Sequence, residues 1–127
     1  MRIAFDHSIF TIQSFGGVSR YYAQLAQHLH AADDQTKIFA PLHINQYLDE
    51  LPDGRVYGRR LQRYPKSLKK LARKTNFLLA QRAISKWRPD ILHETYFTDN
   101  PIRAKNAAVV VTIYDMITEL MPELFPK

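Results

Sequence analysis

Ile3-Ala4-Phe5-Asp6-His7-Ser8, followed by Phe15-Gly16-Gly17-Val18-Ser19-Arg20-Tyr21-Tyr22, is the stretch that decides how the chain is read. Ile3 to Phe5 is a short apolar strand, and Asp6-His7-Ser8 lies where that strand would end. After a polar loop, Gly16-Gly17 opens an amphipathic helix. Val18, Tyr21, Tyr22, Leu25, Ala26 and Leu29 recur at helical spacing, with Ser19, Arg20, Gln24, Gln27 and His28 between them, up to His30-Ala31-Ala32. A strand feeding through a glycine turn into a helix is the first half of a strand-helix-strand unit.

Two readings of Gly16-Gly17 stand side by side. Lacking Cβ, each glycine can take positive φ and let another group approach the backbone. The following helix would then aim its free N–H groups and positive dipole end at a phosphate or carboxylate. Alternatively the pair only makes a tight turn, with Ser14 or Ser19 helping to cap the helix. The three-glycine dinucleotide fingerprint is absent, so nothing argues for NAD.

Outward from this stretch, composition sets bounds. The 127 residues suffice for one domain with a real core, and 46% apolar and 24% charged residues are ordinary for a globular protein. No apolar run approaches the roughly 20 residues of a membrane span, and no signal-peptide pattern opens the chain. Zero cysteines exclude disulfides and thiolate metal sites and fit a reducing compartment, so the cytoplasm is the expected location. The net charge of +6 is uneven. Eight basic residues and no acidic one occur from Arg59 to Lys74: Arg59, Arg60, Arg63, Lys66, Lys69, Lys70, Arg73 and Lys74. Such a patch reads as a solvated helix face or as a surface for an anionic membrane leaflet or acceptor. Nucleic acid fits less well, because no aromatic stacking platform accompanies the charge.

The rest of the chain continues the alternation. Lys37 to Ala40 reads as a strand stopped by Pro41, Leu42 to Leu51 as a short helix, and Arg55 to Gly58 as a short strand after the Pro52-Asp53-Gly54 turn. A long helix follows Pro65, with Leu68, Leu71, Ala72, Leu78, Leu79, Ala83, Ile84 and Trp87 as its buried stripe. Pro89 stops it, Asp90 to His93 is a short buried strand, and Ala107 to Ile113 is a strand rich in β-branched residues, expected to be buried on both faces. The order predicts an α/β fold: a parallel sheet with helices on both faces. A doubly wound domain would normally continue past Lys127, so residues 1–127 read as a domain truncated at its C-terminal end.

Three strand ends carry polar groups: Asp6-His7 with Gly16-Gly17, His93-Glu94, and Tyr114-Asp115. Consecutive parallel strands bring such loops to one rim. Phe15-Gly16-Gly17-Val18-Ser19-Arg20-Tyr21 resembles the glycine turn near the N-terminus of retaining glycosyltransferases of family 4. Asp90-Ile91-Leu92-His93 with Tyr96-Phe97 is similar to a second segment of that family. Val111-Thr112-Ile113-Tyr114-Asp115-Met116-Ile117, with Pro122-Glu123-Leu124-Phe125-Pro126, is similar to a third.

The resemblance implies the N-terminal, acceptor-side Rossmann-like domain of a two-domain GT-B enzyme. The C-terminal nucleotide-binding domain, with its paired-glutamate motif, is not matched. It implies a hexosyltransferase-type reaction: a sugar passes from a nucleotide diphosphate sugar to an acceptor hydroxyl with retention, and this domain alone is inactive. Gly16 and Gly17 would face the donor diphosphate and the acceptor. Arg20 would face the same space or a neighbouring carboxylate. His93 and Glu94 would line the cleft floor near Tyr96, His93 alternatively being only a hydrogen-bonded strand-end residue. Asp115 would stand near the reacting sugar or merely cap the Met116 turn, so Asp115 and His93 are the catalytic candidates. Tyr114 replaces the family's usual histidine, and a phenol with an ordinary pKa of about 10 stays neutral where imidazole shares a proton. His7 is a further candidate. The implied partners are a nucleotide-sugar donor, a sugar or lipid-linked acceptor and the missing C-terminal domain; the basic helix adds an anionic inner-leaflet surface, with no nucleic acid. No metal and no cofactor beyond the co-substrate nucleotide sugar are implied. The pathway would be polysaccharide assembly. The alternative is a non-catalytic α/β module binding a phosphosugar or nucleotide.

Overall fold

The computed structural model describes residues 1–64, 67, 69–114 and 120. Five strands form one all-parallel sheet: β1 (Arg2–Phe5), β2 (Gln35–His43), β3 (Val56–Arg60), β4 (Ile91–Glu94) and β5 (Ala108–Val111), in the spatial order β3-β2-β1-β4-β5. Helix α1 (Ser8–Ile12) and helix α2 (Gly17–Ala31) follow β1, and helix α3 (Lys69–Trp87) lies between β3 and β4. This is a Rossmann-like α/β fold, as the alternation of the sequence predicts. Strand order reverses between β1 and β4, and the crevice outside the carboxyl ends at such a reversal is where open α/β sheets bind ligands.

Strand alternation divides the core between the two faces. Ile3, Phe5, Ile38 and Ala40 point to one side, where Phe10, Tyr22, Ala23 and Ala26 of α1 and α2 cover them. Ala4, Phe39 and Leu92 point to the other, under Ala80 and Ile84 of α3 and Ile102 of the β4–β5 connection. The alanines let each helix axis approach the sheet closely.

Five sequence-based expectations are corrected. The loop after β1 contains α1. Strand β2 is not stopped by Pro41 but runs through it to His43. Its register with β3 shifts between Phe39 and Leu42, so two residues, Ala40 and Pro41, oppose the single Gly58. A proline without an N–H is tolerated at such a bulge. The bulge demands Gly58, since a Cβ there would stand 1.8 Å from the Ala40 carbonyl oxygen. The segment expected to be a helix from Leu42 to Leu51 is the end of β2 and a single 3₁₀ turn, Tyr47–Glu50.

Helix α3 packs the expected Ala83, Ile84 and Trp87 against the core but is rotated relative to the rest of the expected stripe, of which Leu68 lies outside the described residues. Its buried residues are Asn76, Ala80 and Ile84, while Leu71, Leu78 and Leu79 are exposed. Asn76 fixes the rotation. Its amide takes the N–H of Leu42 at 2.7 Å and gives a hydrogen bond to the Leu42 carbonyl at 2.8 Å, satisfying β2 where it runs beyond β1, whose pairing ends at Phe5 opposite Ile38. With Asn76 facing β2, Ala80 and Ile84 one and two turns on must face the sheet, and Leu71 and Leu78 fall on the opposite side. Strand β5 is real but exposed along its whole length, an edge of the described sheet and not a strand buried on both faces. Among the described residues no helix is long and apolar enough to cross a membrane.

Candidate active site

The carboxyl ends of β1 and β4 are joined by Asp6. This fully buried carboxylate accepts the Thr95 N–H at 2.9 Å, the Thr95 hydroxyl, the Ser8 N–H at 3.2 Å and the Ser8 hydroxyl at 2.7 Å. Thr95 Oγ1 in turn accepts the Ile9 N–H at 3.1 Å, and the Asp6 N–H reaches the His93 carbonyl at 3.2 Å. One side chain thereby fixes the loop after β1, the start of α1 and the loop after β4. Charge-assisted bonds of this kind are about twice as strong as neutral ones, so the floor of the crevice is rigid.

On this floor stands an aromatic and imidazole cluster. His93 is buried, stacks on Phe5 with centroids 5.3 Å apart, and meets Tyr22 edge-on at 5.2 Å. Its Nε2 lies 3.0 Å from the Thr112 hydroxyl beyond β5. Burial lowers the His93 pKa, with the Asp6 charge opposing, so its ring is neutral at pH 7. The Tyr22 hydroxyl donates to the Glu94 carbonyl at 3.2 Å, and the Tyr114 ring lies 6.1 Å from Tyr22 and 6.0 Å from Tyr21. Burial, then the neighbouring Tyr22 hydroxyl, raises the Tyr114 pKa far above that of a free phenol. Tyr114 therefore acts only as a neutral hydroxyl. Desolvation, and then the nearby Asp6 charge, raise the Glu94 carboxyl pKa as well.

The wall of the crevice is the start of α2. Gly16 is extended (φ 170°), so positive φ is not what it supplies; a Cβ there would stand 2.5 Å from Gln13 Oε1, in space filled by the Gln13 amide. That amide oxygen accepts the Ser19 N–H at 3.2 Å, and the Ser19 hydroxyl donates to the Gly16 carbonyl at 3.1 Å. Gln13, more than Ser14 or Ser19, caps the helix. The Gly17 and Val18 N–H groups make no hydrogen bond within the described residues, and nothing lies within 4 Å of where a Gly17 Cβ would stand. Arg20 is exposed on the next turn, and neither ion pair found among the described residues, Met1 with Asp34 or Arg60 with Asp49, involves it.

His93, Glu94 and Tyr114 thus come together around Tyr22, with Tyr21 on the same helix turn as Arg20. Tyr96 is exposed, and its aromatic neighbour is Phe97, not the cluster. Asp115 lies outside the described residues. His7 is half-buried, its enclosed Nδ1 has no hydrogen-bond partner among the described residues, and burial lowers its pKa against the pull of Asp6. The sequence reading missed the Asp6–Thr95 joint and the role of Tyr22. The signal for the first was an acid at the end of a strand; Tyr22 carried only a core signal. A small apolar cleft between α2 and β2, lined by Ala26, Thr36, Ile38 and Leu51, lies at the opposite end of the sheet and brings none of these groups together.

Fold and crevice define a parallel-sheet domain whose ligand rim carries His93, Glu94, Tyr114 and open helix N–H groups. The family model for Glycosyltransferase Family 4 matches residues 15–124, and the chain belongs to that family. Neither among curated proteins nor among solved structures does the chain find a match.

Proposed function

We propose that this chain is the acceptor-side domain of a retaining glycosyltransferase that moves a hexose from a nucleotide diphosphate sugar to an acceptor hydroxyl. What supports this reading most is the chemistry of the rim in a family 4 chain. His93, Tyr22 and Tyr114 are held neutral, and Glu94 is pushed toward its neutral form. Neutral donors and acceptors beside aromatic faces suit sugar hydroxyls and their C–H faces better than they suit an ion.

In this mechanism Glu94 and His93 orient the acceptor hydroxyl. The Gly17 and Val18 N–H groups and Arg20 meet the charge that develops on the departing diphosphate. Asp115 stands near the reacting sugar. Tyr96 borders the acceptor, and Gly16 shapes the turn. The nucleotide is held by a C-terminal domain across the cleft, and this domain alone does not turn over. No metal is required. The acceptor is a sugar or lipid-linked sugar of a polysaccharide assembled at the inner face of the cell membrane.

Ligand-observed NMR on the chain tests the reading. Oligosaccharide acceptors should bind, with saturation transferred from Tyr21 and Tyr114, and free nucleotide diphosphate should bind far more weakly. A Gly17→Val variant should keep its unfolding midpoint, because the added side chain enters open space, yet weaken binding of glycan and nucleotide sugar at least about tenfold. Affinity near about 1 μM for free nucleotide, with no glycan binding, would replace the transferase domain by a nucleotide-binding module.

A further inference from the structure

Helix α3 spans 19 residues and carries six cations, Lys69, Lys70, Arg73, Lys74, Arg82 and Lys86, with no acidic residue. Lys70 and Lys74, like Lys69 and Arg73, are four apart on one helix, a spacing at which like charges repel. The two ion pairs among the described residues take none of these cations. The face turned away from the sheet is also apolar: Leu71 is 60% exposed and Leu78, two turns on, is 54% exposed. Lys74, Arg82 and Lys86 flank them on the exposed side of the helix. Cations with no acidic partner among the described residues, set beside outward leucines, cost a folded protein in water and return nothing to its own packing.

We infer that the outer face of α3 docks on an anionic lipid bilayer, with Leu71 and Leu78 entering the acyl boundary and the lysines and arginines meeting lipid phosphates. Charge complementarity sets the sign of the surface, and the leucines set its nature. A nucleic acid would neutralise the cations but leave the leucines wet, and the helix exposes no aromatic ring for base stacking, Phe77 and Trp87 being half-buried in the core. This deepens the reading of an enzyme working at a membrane by naming the face that meets it. Vesicle binding is measured without any sugar, so its failure would be distinct from failure of the transferase reading.

The experiment is sedimentation of the chain with vesicles of phosphatidylcholine alone and with roughly a third phosphatidylglycerol. Expected are binding only to the anionic vesicles and release at about 0.5 M salt, where screening is nearly complete. Two variants, Lys70→Gln/Lys74→Gln/Arg82→Gln/Lys86→Gln and Leu71→Ser/Leu78→Ser, should each weaken binding at least about tenfold. All six positions are exposed, so their circular dichroism should match the parent's, and Lys70→Arg/Lys74→Arg should bind as the parent does. Undiminished binding of the leucine variant would overturn the proposal by reducing the face to a polyanion surface. Retention on single-stranded RNA with no vesicle binding would overturn it too.

Discussion

The two helical layers of this domain are fastened to the same sheet by different chemistry. Helix α2 is held by an aromatic contact network, Tyr22 on Phe5 and His93, and leaves its N-terminus open at the rim where β1 and β4 end. Helix α3 is held by small residues and by side-chain amides that grip backbone. Asn76 takes both groups of Leu42, and Gln81 takes the N–H of Arg103 at 2.9 Å while donating to its carbonyl at 2.6 Å. The first layer builds a crevice. The second holds irregular backbone, the end of β2 and the β4–β5 connection, and shows its leucines and cations to the outside. One side of the domain is thus organised around a ligand and the other around a surface.

The sharpest way to break the contrast is at the joint on the α2 side. Asp6→Ala removes four hydrogen bonds at once and strands the buried Thr95 N–H, so unfolding free energy in urea should fall by about 3 kcal/mol or more. Asp6→Asn, which keeps the shape but loses the charge, should cost less. A cost below about 1 kcal/mol for Asp6→Ala would mean that the rim is not held by this carboxylate.

On the α3 side the two amide clamps should differ in a graded way. Asn76 is buried, so Asn76→Leu leaves the Leu42 N–H without its acceptor, at a cost of about 2 kcal/mol. Gln81 and Arg103 form their clamp where water can replace it, so Gln81→Ala should cost less than about 1 kcal/mol in the same urea titration. Equal losses would show that the Asn76 clamp is not what fixes the helix on β2.

What sequence reading recovered follows from range. The strand at Ile3–Phe5, the glycine-opened helix and the strand at Ile91–Glu94 are written in local periodicity, and their alternation sufficed for the parallel sheet. The bulge at Pro41 was not legible, because its reason is Gly58 on the neighbouring strand. The rotation of α3 was not legible either, because leucines and alanines recur at helical spacing on both of its sides, and the choice is made by Asn76 reaching Leu42, 34 positions away. At the site, His93, Glu94 and Tyr114 stood out as polar groups at strand ends. Tyr22, which ties them together, looked like any core residue of an amphipathic helix, and the partner of Asp6 lies 89 positions along the chain.

The helix ends carry the contrast to its smallest scale. Helix α2 closes in a Schellman arrangement: the Asp34 N–H reaches the Leu29 carbonyl at 3.2 Å and the Asp33 N–H the His30 carbonyl at 3.1 Å, with Asp33 left-handed at φ 66°. Helix α3 closes more simply, the Arg88 N–H bonding the Ile84 carbonyl at 3.0 Å with Arg88 at φ 53° before Pro89. Aspartate visits this conformation with help from its short polar side chain, whereas arginine gains no such help and bears the steric cost of its Cβ. Arg88→Gly should therefore stabilise the domain by about 1 kcal/mol, seen as a higher urea midpoint with an unchanged slope. Asp33→Gly should gain only a few tenths of that, roughly 0.3 kcal/mol. Arg88 is exposed, so a loss of stability on its replacement would mean that its side chain contributes more by packing along Trp87 than its backbone costs.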